Sequence, residues 1–392
     1  MKYNFDEIID RNGTNAVKVE RCKVLFGTEE VLPLWVADMD FRTPDFITDA
    51  IRERLNHPLL GYTITPKEYF PTMIKWIYEH HGWEVKPTQI GFVPGVVPGL
   101  SYAVQCFTEK GDEVIVQPPV YYPFFNSIAK NGRVIVHNQL VEVDGKYEMD
   151  WDDLESKFTE KTKLFILCNP HNPGGRVWTR TELEKLAGIC EKHNVLVVSD
   201  EIHADMILPG NTPHTPFATV SEWAENHSIT YMAMTKVFNM PALISSLFIV
   251  PNRELFNQLN DYLGVSEQNQ GNIFAFIGAL AAVEKGEEWR VQMLDYVQGN
   301  IEYVDSYLKA NVPQVKAMVP EASFLVWLDC ADLEFADTDE LHKFFSLEAG
   351  LGLNKGTIFG PGGEQHVRLN VATPRANLEQ AMAQLAEAVK RK

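Results

Sequence analysis

"NVLVVSDEIHAD", residues 194–205, joins a β-branched apolar run to a cluster of acids and a histidine. Val195 to Val198 shows no polar alternation, so it reads as a strand buried on both faces, the habit of parallel sheets covered by helices. Asp200 falls at the end of that strand and His203 one helical turn further. The pattern recurs on either side. From about Ile90 to Val250, β-branched runs alternate with helical spacing, which is the signature of an α/β fold. The candidate strands are Ile90 to Val93, Glu113 to Val116, Arg133 to Val136, Leu164 to Leu167, Val195 to Val198, Ile229 to Met232 and Leu247 to Val250. Thr179 and Glu182 predict a capping box opening a helix that ends near His193-Asn194. Trp178 and Leu183 supply its hydrophobic staple, and Leu183, Leu186, Ala187 and Cys190 line one face. Leu100, Ala103, Val104 and Phe107 give the same spacing for a helix after Pro98.

Beyond Ala275 the texture changes. A long helical pattern covers Trp289 to Leu308, strands follow at Phe324 to Leu328 and around Val367 to Val371, and Asn377 to Val389 is helical again. The expected organisation is an N-terminal arm over 1–45, a large α/β domain over 46–285 and a small α+β domain over 286–392. A chain of 392 residues exceeds what one simple core accommodates, in keeping with two domains.

Hydrophobic residues make up 45% and charged residues 22%, the proportions of a globular protein. A net charge of -18 argues against nucleic acid or an anionic membrane as partner. The five cysteines, Cys22, Cys106, Cys168, Cys190 and Cys330, form no CxxC pair, so neither a disulfide framework nor a zinc knuckle is expected, and a reducing, cytoplasmic location is. "MKYNFDEIID" has no apolar core and does not read as a signal peptide. The longest apolar stretches, such as Ala275 to Val283, are about half the length needed to span a bilayer. His80-His81 and His171 lack metal-ligand spacing, so no metal is expected.

In an open α/β sheet a ligand sits outside the carboxyl ends of the strands. After Ile90 to Val93 comes "PGVVPGL", a turn running into a helix, where Val96, Val97 and Gly99 can aim backbone N–H groups at an anion. After Glu113 to Val116 comes "QPPVYYPF" with Tyr121 and Tyr122; after Leu164 to Leu167, "CNPHNPGG" with Asn172; after Ile229 to Met234, Thr235-Lys236. Singly, each has a plain structural reading: a packed tyrosine, an aspartate helix cap, a structural histidine, a lysine snorkelling from a strand end. Lys236 stands among Met232, Ala233, Met234, Val237 and Phe238, surroundings that lower an amine's pKa and ready it to attack carbonyls. "FGPGGEQ", residues 359–365, lacks a strand-then-helix context and reads as a flexible connection.

Cradle, aromatic ring, amide, acid and lysine at successive strand ends resemble the fold-type I pyridoxal-phosphate enzymes. "WVADMDF" (35–41), "PGVVPGLSYAV" (94–104), "CNPHNPGGRVW" (168–178), "NVLVVSDEIHAD" (194–205) and "VRLN" (367–370) look like the MalY/PatB-type cystathionine β-lyases, a branch of the class I/II aminotransferases. The resemblance covers nearly the whole chain. It implies the fold-type I architecture, a mostly parallel seven-stranded sheet sandwiched by helices with a smaller α+β domain, and pyridoxal 5'-phosphate as cofactor. It also implies roles: Lys236 anchors the cofactor and moves the Cα proton, Asp200 pairs with the pyridinium, and Asn172 and His203 bond the phenolic oxygen. Tyr121 stacks on the ring and passes a proton to the leaving group, Val96, Val97 and Thr235 hold the phosphate, and Arg368 grips the substrate carboxylate, with Trp35 beside the substrate. Tyr62 resembles a tyrosine lent across a homodimer interface to the neighbouring site. For unit charges ~3 Å apart at an effective dielectric of ~20, an Asp200–pyridinium pair is worth roughly 5 kcal/mol before desolvation.

Two departures stand out. Met240, Pro241 and Ala242 replace the family's usual Ile/Leu-Ala-Gly, and Ile244 stands where many aminotransferases place an arginine on the phosphate. The function the resemblance implies is a carbon–sulfur β-lyase acting on cystathionine or another cysteine S-conjugate. An aminotransferase and a regulatory, protein-binding relative are the alternatives.

Overall fold

The computed structural model describes residues 2–392. The strands, in chain order, are β1 (Leu32–Pro33), β2 (Ile90–Val93), β3 (Glu113–Val116), β4 (Val134–His137), β5 (Val141–Val143), β6 (Lys146–Glu148), β7 (Thr162–Cys168), β8 (Leu196–Asp200), β9 (Ser228–Met232), β10 (Ser246–Ile249), β11 (Lys316–Met318), β12 (Leu325–Asp329), β13 (Leu351–Gly352), β14 (Asn354–Lys355) and β15 (His366–Asn370). Seven of them form the central sheet in the order β2-β10-β9-β8-β7-β3-β4. Strand β10 runs antiparallel to both neighbours; the other pairs are parallel. The sheet is therefore mostly parallel and seven-stranded, as the resemblance implies, and the seven strands expected between Ile90 and Val250 lie within it with ends moved by a few residues.

Alternation of side chains along β7 explains why its stretch from Leu164 to Leu167 is apolar without interruption. Leu164 and Ile166 enter one core with Leu100, Ala103 and Val104 of the helix Val96–Phe107, while Phe165 and Leu167 enter another with Leu183, Leu186, Ala187 and Cys190. Both faces are thus covered, and a polar residue on either would be stranded. The helix Arg180–His193 begins with the predicted capping box, Thr179 N–H donating to Glu182 Oε2 at 2.7 Å and Glu182 N–H to Thr179 Oγ1 at 3.3 Å, an arrangement worth about 1 kcal/mol. Asn194 ends it in the left-handed region, at φ 52°. Trp178 Nε1 donates to Cys168 O at 2.9 Å, fastening the helix entry to the end of β7.

The second sheet has the order β11-β12-β15-β14. The helices Glu287–Asn311 and Arg375–Arg391 share one core with it, through Val297, Ile301, Val304, Leu378, Met382 and Leu385. The N-terminal segment joins this sheet's surroundings where β1 pairs in parallel with β13.

Three details differ from the sequence reading. The helix expected after Pro98 begins at Val96, so Gly99 N–H is used within it, donating to Gly95 O at 3.0 Å, and is not free for an anion. Gly99 is required by packing instead: a Cβ there would lie 2.5 Å from the Tyr231 ring. Residues 359–365 form a close-packed turn rather than a loose connection, since a Cβ on Gly363 would meet Gly356 O at 2.2 Å.

Candidate active site

The ends of β2, β7, β8 and β9 converge on a cavity of about 310 Å³. Its walls include Val96, Val97, Tyr121, Asn172, Asp200, His203, Thr235 and Lys236, gathered from the successive strand ends. Arg368 on β15 reaches the same place from the small sheet: its Nη1 donates to Asn172 Oδ1 at 3.0 Å, and its guanidinium lies 4.9 Å from the Phe359 ring centre.

Lys236 follows β9 in a short helix, Met234–Val237, and its Nζ donates to Ala37 O at 2.8 Å. Burial pushes its ammonium down to about 8; Arg368 adds to the drop, and Asp38 and Asp200 oppose it. Asp38 and Asp200, both distant from Lys236 along the chain, are thus near it in space. Asp200 caps the turn after β8 by accepting Ile202 N–H at 3.1 Å. Burial pushes its carboxyl up to about 7, and Glu201 raises it further against the Ile202 N–H and Lys236. Burial together with the charges of Lys236 and Arg368 pushes His203 down to about 3, so the imidazole is neutral, and its Nδ1 has no hydrogen-bond partner. Burial pushes the Tyr121 phenol up to about 12, keeping it a proton donor at neutral pH. Arg368, lowered by burial to about 10, remains a cation.

At the floor, Gly95 takes φ 124°, closed to side-chain-bearing residues, and turns β2 into the helix Val96–Phe107. No side chain caps that helix, so the first-turn amides at Val96 and Val97 face the cavity unclaimed by a cap. Elsewhere in the wall, Pro241–Leu243 form a single 3-10 turn ending at Ile244, whose φ of 51° is unusual for a β-branched residue. Two of the departing positions, Pro241 and Ile244, line the cavity.

Three sequence candidates lie outside the wall: Arg368, which meets it through Asn172, Trp35 and Tyr62. Trp35 is half-buried and meets Arg368 through its backbone, Trp35 O accepting from Nη2 at 3.1 Å. Tyr62 is fully exposed within a strandless segment and does not line the cavity of the single chain. Conversely, Ala37, Cys168, Ile202, Ser245 and Ser246 line it without having been singled out. Cys168 ends β7, so the strand-end rule points to it. Ser246 escapes that rule because β10 is antiparallel and presents its beginning to the site, opposite Val93 at the end of β2.

Comparison with known proteins finds relatives over nearly the whole chain. The family model for aminotransferase class I and II fits residues 29–385. Cystathionine beta-lyase PatB of Bacillus subtilis (strain 168) is 43% identical over 387 residues, covering 98% of this chain and 100% of that protein. The crystal structure of cystalysin from Treponema denticola, which contains a pyridoxal 5'-phosphate cofactor, superposes with a TM-score of 0.96 at 31% identity over 100% of both chains. The PLP-bound C-S lyase from Staphylococcus hominis gives a TM-score of 0.92 at 36% identity, covering 99% of this chain and 98% of that one. By sequence along nine-tenths of its length and by fold throughout, the chain belongs to the class I and II aminotransferase family.

Proposed function

We propose that this chain is a pyridoxal 5'-phosphate-dependent carbon–sulfur β-lyase that cleaves cystathionine or another cysteine S-conjugate to a thiol, pyruvate and ammonia. The observation that supports it most is the convergence on one cavity of a depressed lysine, a buried acid, a neutral imidazole with a free nitrogen and an uncapped helix start. These residues fit the cofactor. Lys236 would attach its aldehyde, Asp200 face its ring nitrogen, Asn172 and His203 its phenolic oxygen, Tyr121 its ring face, and Val96, Val97 and Thr235 its phosphate. When bound, the cofactor supplies an electron sink for bond breaking at the substrate Cα.

The chain's own groups perform the remaining tasks. Arg368, fixed by Asn172 Oδ1 and by Asn354 Oδ1 at 2.7 Å, holds the substrate carboxylate as a planar fork. Lys236 Nζ, neutral in a fair fraction of molecules near pH 8, takes the Cα proton. Tyr121 Oη donates a proton toward the departing sulfur. Ile244 puts an apolar side chain where an arginine would clamp the phosphate, a departure that favours the lyase branch.

We also read the chain as an arm (1–45), a large domain (46–285) and a small domain (286–392), acting in the cytoplasm as a homodimer. Support for the dimer is the segment around Tyr62, where Leu59, Leu60 and Ile64 are 68%, 62% and 84% exposed, an apolar ridge that a second copy would cover. The decisive assay incubates the loaded protein with cystathionine and no keto acid. Thiol and pyruvate release, abolished by Lys236→Ala, is expected. Turnover only after a keto acid is added would replace lyase by transaminase, and none in either condition would leave a binding protein.

A further inference from the structure

Lys18 lies in a short helix, Val17–Glu20, yet only 1% of its surface is exposed. Its Nζ sits 2.8 Å from Asp40 Oδ2 and 3.7 Å from Asp38 Oδ1. Arg11 closes the figure from outside, Nη2 at 2.6 Å from Asp38 Oδ2 and Nη1 at 3.0 Å from Asp40 Oδ1. Two cations and two anions thus alternate around one point, with no net charge. A buried ion pair alone says little about stability, because desolvation offsets attraction. What it is attached to says more.

Asp38 and Asp40 belong to the strap 35–41, and the strap's backbone holds the reactive side chains. Ala37 O accepts Lys236 Nζ, and Trp35 O accepts Arg368 Nη2. Between and beyond them, Val36 O and Asp38 O accept Asn370 Nδ2 at 2.6 and 2.7 Å, and Met39 N–H donates to Asn239 Oδ1 at 3.0 Å. The strap therefore touches β15 of the small sheet and the lysine-bearing turn of the large one. Lys18 grips it twice, since its own carbonyl accepts Trp35 Nε1 at 2.9 Å.

We propose that Lys18 and Arg11 are positioning residues: by clamping Asp38 and Asp40 they fix the strap on whose carbonyls Lys236 and Arg368 rest, and so set the spacing of proton acceptor and carboxylate fork. This rests on the lyase reading for its consequence in turnover, but not for its consequence in structure. Lys236 faces Asp38, Asp200, His203 and Arg368. Removing Lys18's charge leaves the cluster net negative beside that lysine.

The test compares wild type with Lys18→Met, Arg11→Gln and the charge-balanced double variant Lys18→Met/Asp40→Asn. In the cofactor-free chain, amide hydrogen exchange across 36–41 should accelerate by about tenfold or more in the single variants, with the central sheet unchanged. In the loaded protein, the pH midpoint of the cofactor absorbance should move upward in Lys18→Met and return toward wild type in the double variant. The kcat/KM for cystathionine should fall by roughly tenfold to a hundredfold, the scale of an ångström's misplacement. Unchanged exchange over 36–41 with an unmoved midpoint overturns the proposal. If Lys18→Met does not fold, Arg11→Gln, whose side chain is 24% exposed, decides by the same readings. A wild-type protein that releases no thiol refutes the lyase reading alone, because the exchange comparison on the cofactor-free chain stands apart from it.

Discussion

Asp200→Asn should make the cofactor-free protein more stable near neutral pH while weakening its hold on the cofactor. The Asp200 carboxyl is pushed from its ordinary 3.8 to about 7, first by burial and then by Glu201. Below 3.8 both folded and unfolded chains carry the proton. Between about 4 and about 7 the unfolded chain releases it while the folded chain retains it, so stability falls as pH rises through that window and stays at the lower level above it. At ~1.4 kcal/mol per pKa step the loss is about 4 kcal/mol. Asparagine keeps an acceptor for Ile202 N–H but cannot ionise, so the variant is spared the loss. With an unfolding entropy of roughly 2.1 cal/mol/K per residue, 4 kcal/mol over a chain of 392 residues corresponds to about 5 °C in Tm. Melting curves of stripped wild type and variant should coincide near pH 4 and separate by that amount by pH 7.5, the variant higher; the window stops there because Lys236 loses its proton around 8. Adding cofactor should reverse the order, since only the carboxylate brings a negative charge to the protonated ring nitrogen. Melting profiles that run parallel from pH 4 to pH 7.5 would refute the reasoning.

Replacing Arg368 by lysine retains a charge but not the fork, and should raise KM for the amino-acid substrate by roughly tenfold to a hundredfold, measured by initial rates. Tyr62→Ala and Lys236→Ala should each be inactive or nearly so alone, yet regain activity when unfolded and refolded together, because one site of the hybrid dimer combines an intact lysine with an intact tyrosine; no recovery on mixing would mean that Tyr62 serves its own chain or none. Gly99→Ala drives a methyl into the Tyr231 ring at 2.5 Å, an overpacking that costs about 1–3 kcal/mol; equilibrium dialysis should show weaker cofactor retention as the helix start is pushed from its place.

How much of this was legible in the sequence depended on where the information sits. Strands such as β7 and β8 stood out because two covered faces force a continuous apolar run, and the helix Arg180–His193 because its capping box is local. The site residues at parallel strand ends followed from topology. Ser245 and Ser246 did not, because the reversed direction of β10 is set by pairing partners far away in the chain. Ala37 acts through a carbonyl, which every residue has, so its side chain gave no signal. Lys18 was invisible for a different reason: a lysine in "VKVERCKV" reads as solvent-facing, and the acids that bury it lie twenty residues onward. The beginning of the helix at Val96 was displaced because Pro98 is tolerated anywhere in a first turn, so it marks the turn and not its first residue.

The contact between Arg368 and Asn172 has a chemical corollary. A guanidinium only donates, so it must meet the oxygen of the amide, and the NH2 end of Asn172 is thereby left as the end available to the cavity. The polarity of that wall is then dictated from outside it: the ligand atom opposite Asn172 is greeted by a donor, which prefers a deprotonated oxygen to a hydroxyl. An asparagine able to flip would accept either protonation state with indifference; one locked by its neighbour discriminates between them.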